Sequence, residues 1–178
     1  MKIRILAITV LLVFVSAATF ADLQIGAVAM YKGDPSTVSV SGLSLQDFTF
    51  GLDTRLNLGI LQGSVSALYY PADVTSTDPI PASLVALMDV GLCLDVLFFR
   101  LGAGIGPNFS IPLESSTPAR DALPVGVNLK LAGDVMLGKF SVGLVFVYYV
   151  NSFEDFAAPN FFQLARPIIG VSALYKLF

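Results

Sequence analysis

Residues 84–108 read L-V-A-L-M-D-V-G-L-C-L-D-V-L-F-F-R-L-G-A-G-I-G-P-N. At period two, Leu84, Ala86, Met88, Val90, Leu92 and Leu94 share one face, and Val85, Leu87, Asp89, Gly91, Cys93 and Asp95 share the other. After a short turn at 96–98, Phe99, Leu101, Ala103 and Ile105 alternate with Arg100, Gly102, Gly104 and Gly106. A helix would scatter these residues around its circumference, whereas two strands sort them into an apolar face and a face of charges and glycines. The stretch therefore predicts a hairpin with its apolar side outward, the inverse of a soluble barrel.

The rest of the chain repeats the pattern. Strands are predicted at 23–31, 47–58, 61–70, 84–95, 99–110, 123–137, 140–150 and 164–178. Polar, proline-bearing connections at 32–44, 71–83, 111–122 and 151–163 follow strands one, three, five and seven. Tight turns at Gly59-Ile60, 96–98 and Gly138-Lys139 follow strands two, four and six. Strict alternation of long and short connections, with both ends on the short-turn side, is the plan of an all-β, eight-stranded antiparallel up-and-down transmembrane β-barrel. Tyr69, Tyr70, Tyr148, Tyr149, Phe48 and Phe50 fall at the loop end, and Phe98, Phe99, Phe140 and Phe178 at the turn end, as two aromatic girdles would.

Composition points the same way. The 178 residues are 55% hydrophobic and only 13% charged, well below the roughly one-quarter charged fraction of soluble domains. Yet after the first 21 residues no run reaches the ~20 apolar residues of a membrane helix, so a closed barrel is the spanning solution that pairs every backbone group. Residues 1–21 have the form of a signal peptide, with Lys2 and Arg4 before an apolar run from Ile5 to Val15 and small residues after it. Cleavage after Ala21 is expected, with Ala18 as the alternative, leaving 22–178 as the barrel domain. Removing Lys2 and Arg4 leaves eight basic against 13 acidic residues, a net charge of −5 that argues against a nucleic-acid partner.

In its pattern of strands and connections, the chain from 22 to 178 resembles the small eight-stranded outer-membrane barrels, the group of the OmpA membrane domain, OmpX and OmpW-like proteins. The terminal A-L-Y-K-L-F ends in the Phe that is usual there, Phe178, but Tyr175 and Leu177 stand one place out of phase and Lys176 occupies a position where an aromatic is typical. The resemblance implies a monomer in the bacterial outer membrane, with the lipid bilayer as its main partner.

An eight-stranded lumen is filled by side chains or holds one small ligand. Alternation points Asp53, Arg55, Asp89, Asp95, Arg100, Lys130 and Asp134 inward, where mixed charges must pair. They are read as a charged floor that plugs the barrel, the functional alternative being an ion path. Above them, Val28, Met30, Leu68, Tyr70, Val85, Leu87, Val145, Val147 and Tyr149 also point inward. These either pack the interior or form a chamber for a small hydrophobic molecule, the role the OmpW-like resemblance implies.

Other motifs carry less. Gly102, Gly104 and Gly106 lack the strand–turn–helix setting of a nucleotide loop and read as room for opposing side chains. Asn108-Phe109-Ser110 matches a glycosylation sequon by chance. Without histidine, Ser–His and His–metal chemistry is excluded; no enzyme activity, cofactor or metal is expected. Cys93, the single cysteine, reads as a core filler. Outer connections carrying Asp34, Asp73, Asp78, Glu114, Asp121, Glu154 and Asp155 against Lys32 and Arg120 leave a second function open, a scaffold or adhesin acting through acidic loops. A soluble lipocalin-like carrier would need a polar exterior, which strands four to seven lack.

Overall fold

The computed structural model describes residues 21–33, 44–72, 81–113, 125–150, 152–157 and 166–178. Eight antiparallel strands close on themselves in sequence order: β1 (Ala21–Tyr31), β2 (Phe48–Leu58), β3 (Leu61–Tyr70), β4 (Ser83–Val96), β5 (Phe99–Pro112), β6 (Val125–Leu137), β7 (Phe140–Val150) and β8 (Arg166–Lys176). The expected architecture is the observed one. The signal-peptide reading of residues 1–20 lies outside the described residues.

Register fixes the shape. Followed once around the barrel, the pairs Ala21↔Leu58, Leu58↔Leu61, Leu61↔Leu92, Leu92↔Ala103, Ala103↔Leu131, Leu131↔Phe146, Phe146↔Ile169 and Ile169↔Tyr31 return to β1 ten residues above their start. With roughly 3.3 Å per residue and 4.8 Å between strands, that stagger tilts the strands by about 40°. An 11-residue strand such as β1 then rises roughly 25 Å along the axis, the height of a bilayer's apolar band.

Three two-residue turns close one end. Gly59 (φ 64°) and Gly138 (φ 70°) supply the left-handed backbone that a tight hairpin needs. Leu97 adopts the same conformation (φ 56°) with a side chain attached. Each turn is tied to the next hairpin: Cys93 N–H donates to Ile60 O (2.8 Å), Met136 N–H to Phe98 O (2.7 Å) and Lys176 N–H to Lys139 O (2.7 Å).

The outside is predominantly apolar, with Thr54 the polar exception on β2. Val90 is 72% exposed, and Leu52, Val65, Leu101, Leu144 and Val171 are exposed with it. Tyr31, Phe48 and Phe50 form a ring ladder at the loop end, and Phe98–Phe99 and Phe140–Tyr175 pair at the turn end. The β4–β5 register lapses between Leu87↔Asn108 and Val90↔Ile105, where Pro107 has no N–H to offer.

Strand ends differ from expectation by two residues at most. β1 begins two residues early, at Ala21, and β5 continues to Pro112. The connection after β7, read as irregular, contains a short helix α1 (Phe153–Ala157). Five residues are too few for helical periodicity to stand out against a polar loop. β8 settles the terminal register: Val171 and Tyr175 face outward, Ser172 and Leu174 are buried, and Lys176 turns inward to Asp22, which accounts for the missing aromatic.

Candidate functional site

The lumen has three layers, each assembled from residues that share only the inward side of their strands. At the turn end, Arg100 on β5 donates Nε to Asp95 Oδ1 (2.6 Å) and Nη2 to Asp95 Oδ2 (2.7 Å), its register partner on β4. Its Nη2 also reaches Asp22 Oδ2 on β1 at 3.0 Å, and Lys176 on β8 approaches the same oxygen at 3.3 Å. Asp95 was expected inside. Its side chain is half exposed, because β4 ends one residue later and the rim opens around it.

The middle layer is buried and densely hydrogen-bonded. Arg55 on β2 donates Nε to Asp53 Oδ2 (2.8 Å), Nη1 to Asp134 Oδ2 on β6 (2.5 Å) and Nη2 to Ser172 Oγ on β8 (3.2 Å). Lys130 on β6 donates to Asp53 Oδ1 (2.7 Å), Ser66 Oγ (2.9 Å) and Ser64 Oγ (3.1 Å). Ser64 and Ser66 on β3 pass hydrogen bonds on to Asp89 Oδ2 (2.8 Å) and Asp53 Oδ1 (2.7 Å). Asn128 donates to the other oxygen of Asp89, and Lys130 lies 3.9 Å from Asp89. Buried charges persist only when paired and hydrogen-bonded, and each charge here has at least one such partner. A space of about 10 Å³ remains among Gln62, Ser64, Asp89, Gly102, Gly104, Lys130 and Ala132, which holds roughly one water.

Above this layer, Val28, Met30, Leu68, Val85, Leu87, Val145 and Val147 form one buried cluster, with Tyr70 and Tyr149 packed against it. Ile168 on β8 completes the cluster. Leu68, Val145 and Val147 are fully buried, and Met30 and Leu87 nearly so. The nine residues expected to meet do meet, as packed neighbours in and against one buried cluster.

All seven predicted charges thus lie in two networks. Alternation did not single out Asp22, Lys176, Ser64, Ser66, Asn128 and Ser172, which complete them. Asp22 carried a signal, being a carboxylate at an inward position of β1. The serines carried none, since a small hydroxyl is common on either face.

The glycine stripe also has its reason. A β-carbon on Gly102 would meet Gln62 Oε1 at 2.7 Å, and one on Gly104 would meet the Asp89 side chain at 3.0 Å. Asn108 is buried and donates Nδ2 to Val150 O (3.1 Å), so the sequon asparagine faces the lumen. Cys93 is buried beside Gly59 O (3.4 Å). Among the described residues no three His, Cys, Asp or Glu side chains gather as metal ligands. Of the expected loop acids, Asp34, Asp73, Asp78, Glu114 and Asp121 lie outside the described residues.

No protein-family model and no curated protein matches the chain. Among solved structures it is similar to Ail, the attachment invasion locus protein of Yersinia pestis, solved in complex with the heparin analogue sucrose octasulfate. That similarity has a TM-score of 0.44 and 13% identity, over 88% of this chain and 97% of that one.

Proposed function

We propose that this protein is an integral outer-membrane barrel whose lumen is closed to solutes, and that it acts as a scaffold presenting its long outer connections. The apolar exterior between two aromatic girdles supports membrane insertion, because the same surface in water would be a very large exposed patch. Short turns at one end and long connections at the other support the orientation, turns toward the periplasm.

The observation that carries the closed lumen is its filling from bottom to top. Arg55 and Lys130 tie three buried carboxylates together, and the Leu68–Val147 cluster lies above them. An ion path needs a continuous wet column, and a hydrophobic ligand needs a chamber. Passage of a small hydrophobic molecule would require Met30, Leu68, Leu87 and Val147 to part.

Reconstitution into planar bilayers tests the reading. A folded barrel, identified by heat-modifiable migration in detergent, should insert without steady conductance and should not take up a hydrophobic dye. Stable unitary currents, or saturable dye binding abolished by Leu87→Asp, would overturn the closed lumen.

A further inference from the structure

The turn end of the barrel is built unlike a set of water-facing turns. Turns in water favour Asn, Asp, Ser, Gly and Pro. Here the tips are Gly59-Ile60, Leu97-Phe98 and Gly138-Lys139, and Leu97 is 88% exposed, the highest among the exposed large hydrophobic residues. Ile60, Phe98, Leu137, Phe140 and Phe178 are exposed around it. These side chains continue the outer apolar wall, since Leu58, Leu61, Val96 and Phe99 flank the turns and are exposed as well, while the charges at this end are Lys139 at one tip and the Asp95 and Lys176 side chains at the lumen rim.

The backbone agrees. In a water-poor medium each carbonyl must be satisfied by the protein. The carbonyl of the second residue in each turn, Ile60, Phe98 and Lys139, accepts a hydrogen bond from the neighbouring strand. One carbonyl in each turn is thus paired within the protein, as contact with lipid favours. Lys139, exposed at the same level, can lay its methylenes on this surface and extend its ammonium to lipid phosphates.

We infer that the three turns lie within the periplasmic leaflet, with phospholipid at the headgroup–acyl boundary as their partner. This rests on the membrane reading above and extends it: the barrel stops inside the bilayer, and its apolar tips are not a docking face for a periplasmic protein.

The chain contains no tryptophan, so single-tryptophan reporters are unambiguous. Leu97→Trp and Ile60→Trp probe two turns, and Val90→Trp probes the wall, all at exposed positions whose folding is verified by heat-modifiable migration. In vesicles of phosphatidylcholine and phosphatidylglycerol brominated near the headgroup end of the acyl chains, both turn reporters should lose most of their emission. They should also emit at shorter wavelength than indole in water and resist aqueous iodide. Water-like emission quenched by iodide at Leu97→Trp and Ile60→Trp, with Val90→Trp still quenched by lipid brominated at mid-chain, overturns the inference alone. Failure of lipid brominated at mid-chain to quench Val90→Trp overturns the membrane reading and this inference with it.

Discussion

Arg55 and Asp134 meet at 2.5 Å across the width of the barrel, from β2 and β6, which stand four strands apart in a ring of eight. The pair is a strut, not a neighbour contact, and among the described residues its acceptor has only Ser172 as a further side-chain partner. Replacing Arg55 with Met leaves Asp134 charged and buried, and the expected loss is about 3–5 kcal/mol. Adding Asp134→Leu removes the orphaned charge, while Asp53 keeps Lys130, so the double variant should recover most of the stability. Denaturant unfolding of the four proteins in a double-mutant cycle checks this; equal losses in single and double variants would show that the strut carries no such coupling.

What the sequence made legible was the side each residue faces, because a period of two is local. Asp95 and Arg100 are within reach of such local reasoning too, being opposite each other on one hairpin. Arg55 and Asp134 lie 79 positions apart, and no local pattern links them. Their meeting depends on the ten-residue stagger, which is a property of the closed barrel alone. The same limit explains the upper lumen: alternation placed nine side chains inside, but whether they enclose a chamber or fill it depends on a barrel width that periodicity does not carry. Lys176 stands where an aromatic is typical, and no local pattern explains it because its partner, Asp22, is 154 positions away on β1.

Inside and outside respond differently to the same truncation. Leu87 is buried among packed neighbours, so Leu87→Ala should cost about 2–5 kcal/mol through lost transfer and a retained void. Leu92, on the outer face of the same strand, loses only contacts that a lipid chain can replace. The ratio of the two losses in vesicles is the measurement, and comparable losses would contradict the assigned faces.

Depth along the wall is tested by charge. Val90 lies near mid-height of β4 with nearly three-quarters of its surface exposed. Val90→Arg should destabilise the inserted barrel by about 2–4 kcal/mol, the cost of arginine on the lipid face near the midplane. Insertion yield and unfolding midpoint in vesicles report it, and a neutral substitution would place this wall outside the apolar band.

Cys93 offers a labelling test of closure from below. Its thiol is buried behind the Gly59-Ile60 turn, so the folded barrel should resist a membrane-permeant maleimide under conditions that label the heat-unfolded chain completely. Rapid labelling of the folded form would mean that the turn end opens.

Leu97 is where the strain and the surface argue against each other. A side chain in left-handed backbone costs roughly 1–2 kcal/mol, and glycine there would remove that strain against an entropy cost of roughly 0.5–1 kcal/mol. In a water-facing turn Leu97→Gly should therefore stabilise the barrel by about 0.5–1 kcal/mol. If the turn lies in lipid, the substitution also forfeits the transfer of an exposed leucine out of water, about 1.5–3 kcal/mol when complete. The sign then reverses, and we expect a net loss near 1 kcal/mol in vesicles. Unfolding of Leu97→Gly in phospholipid bilayers decides between the two, and a gain in stability there would return the turn to water.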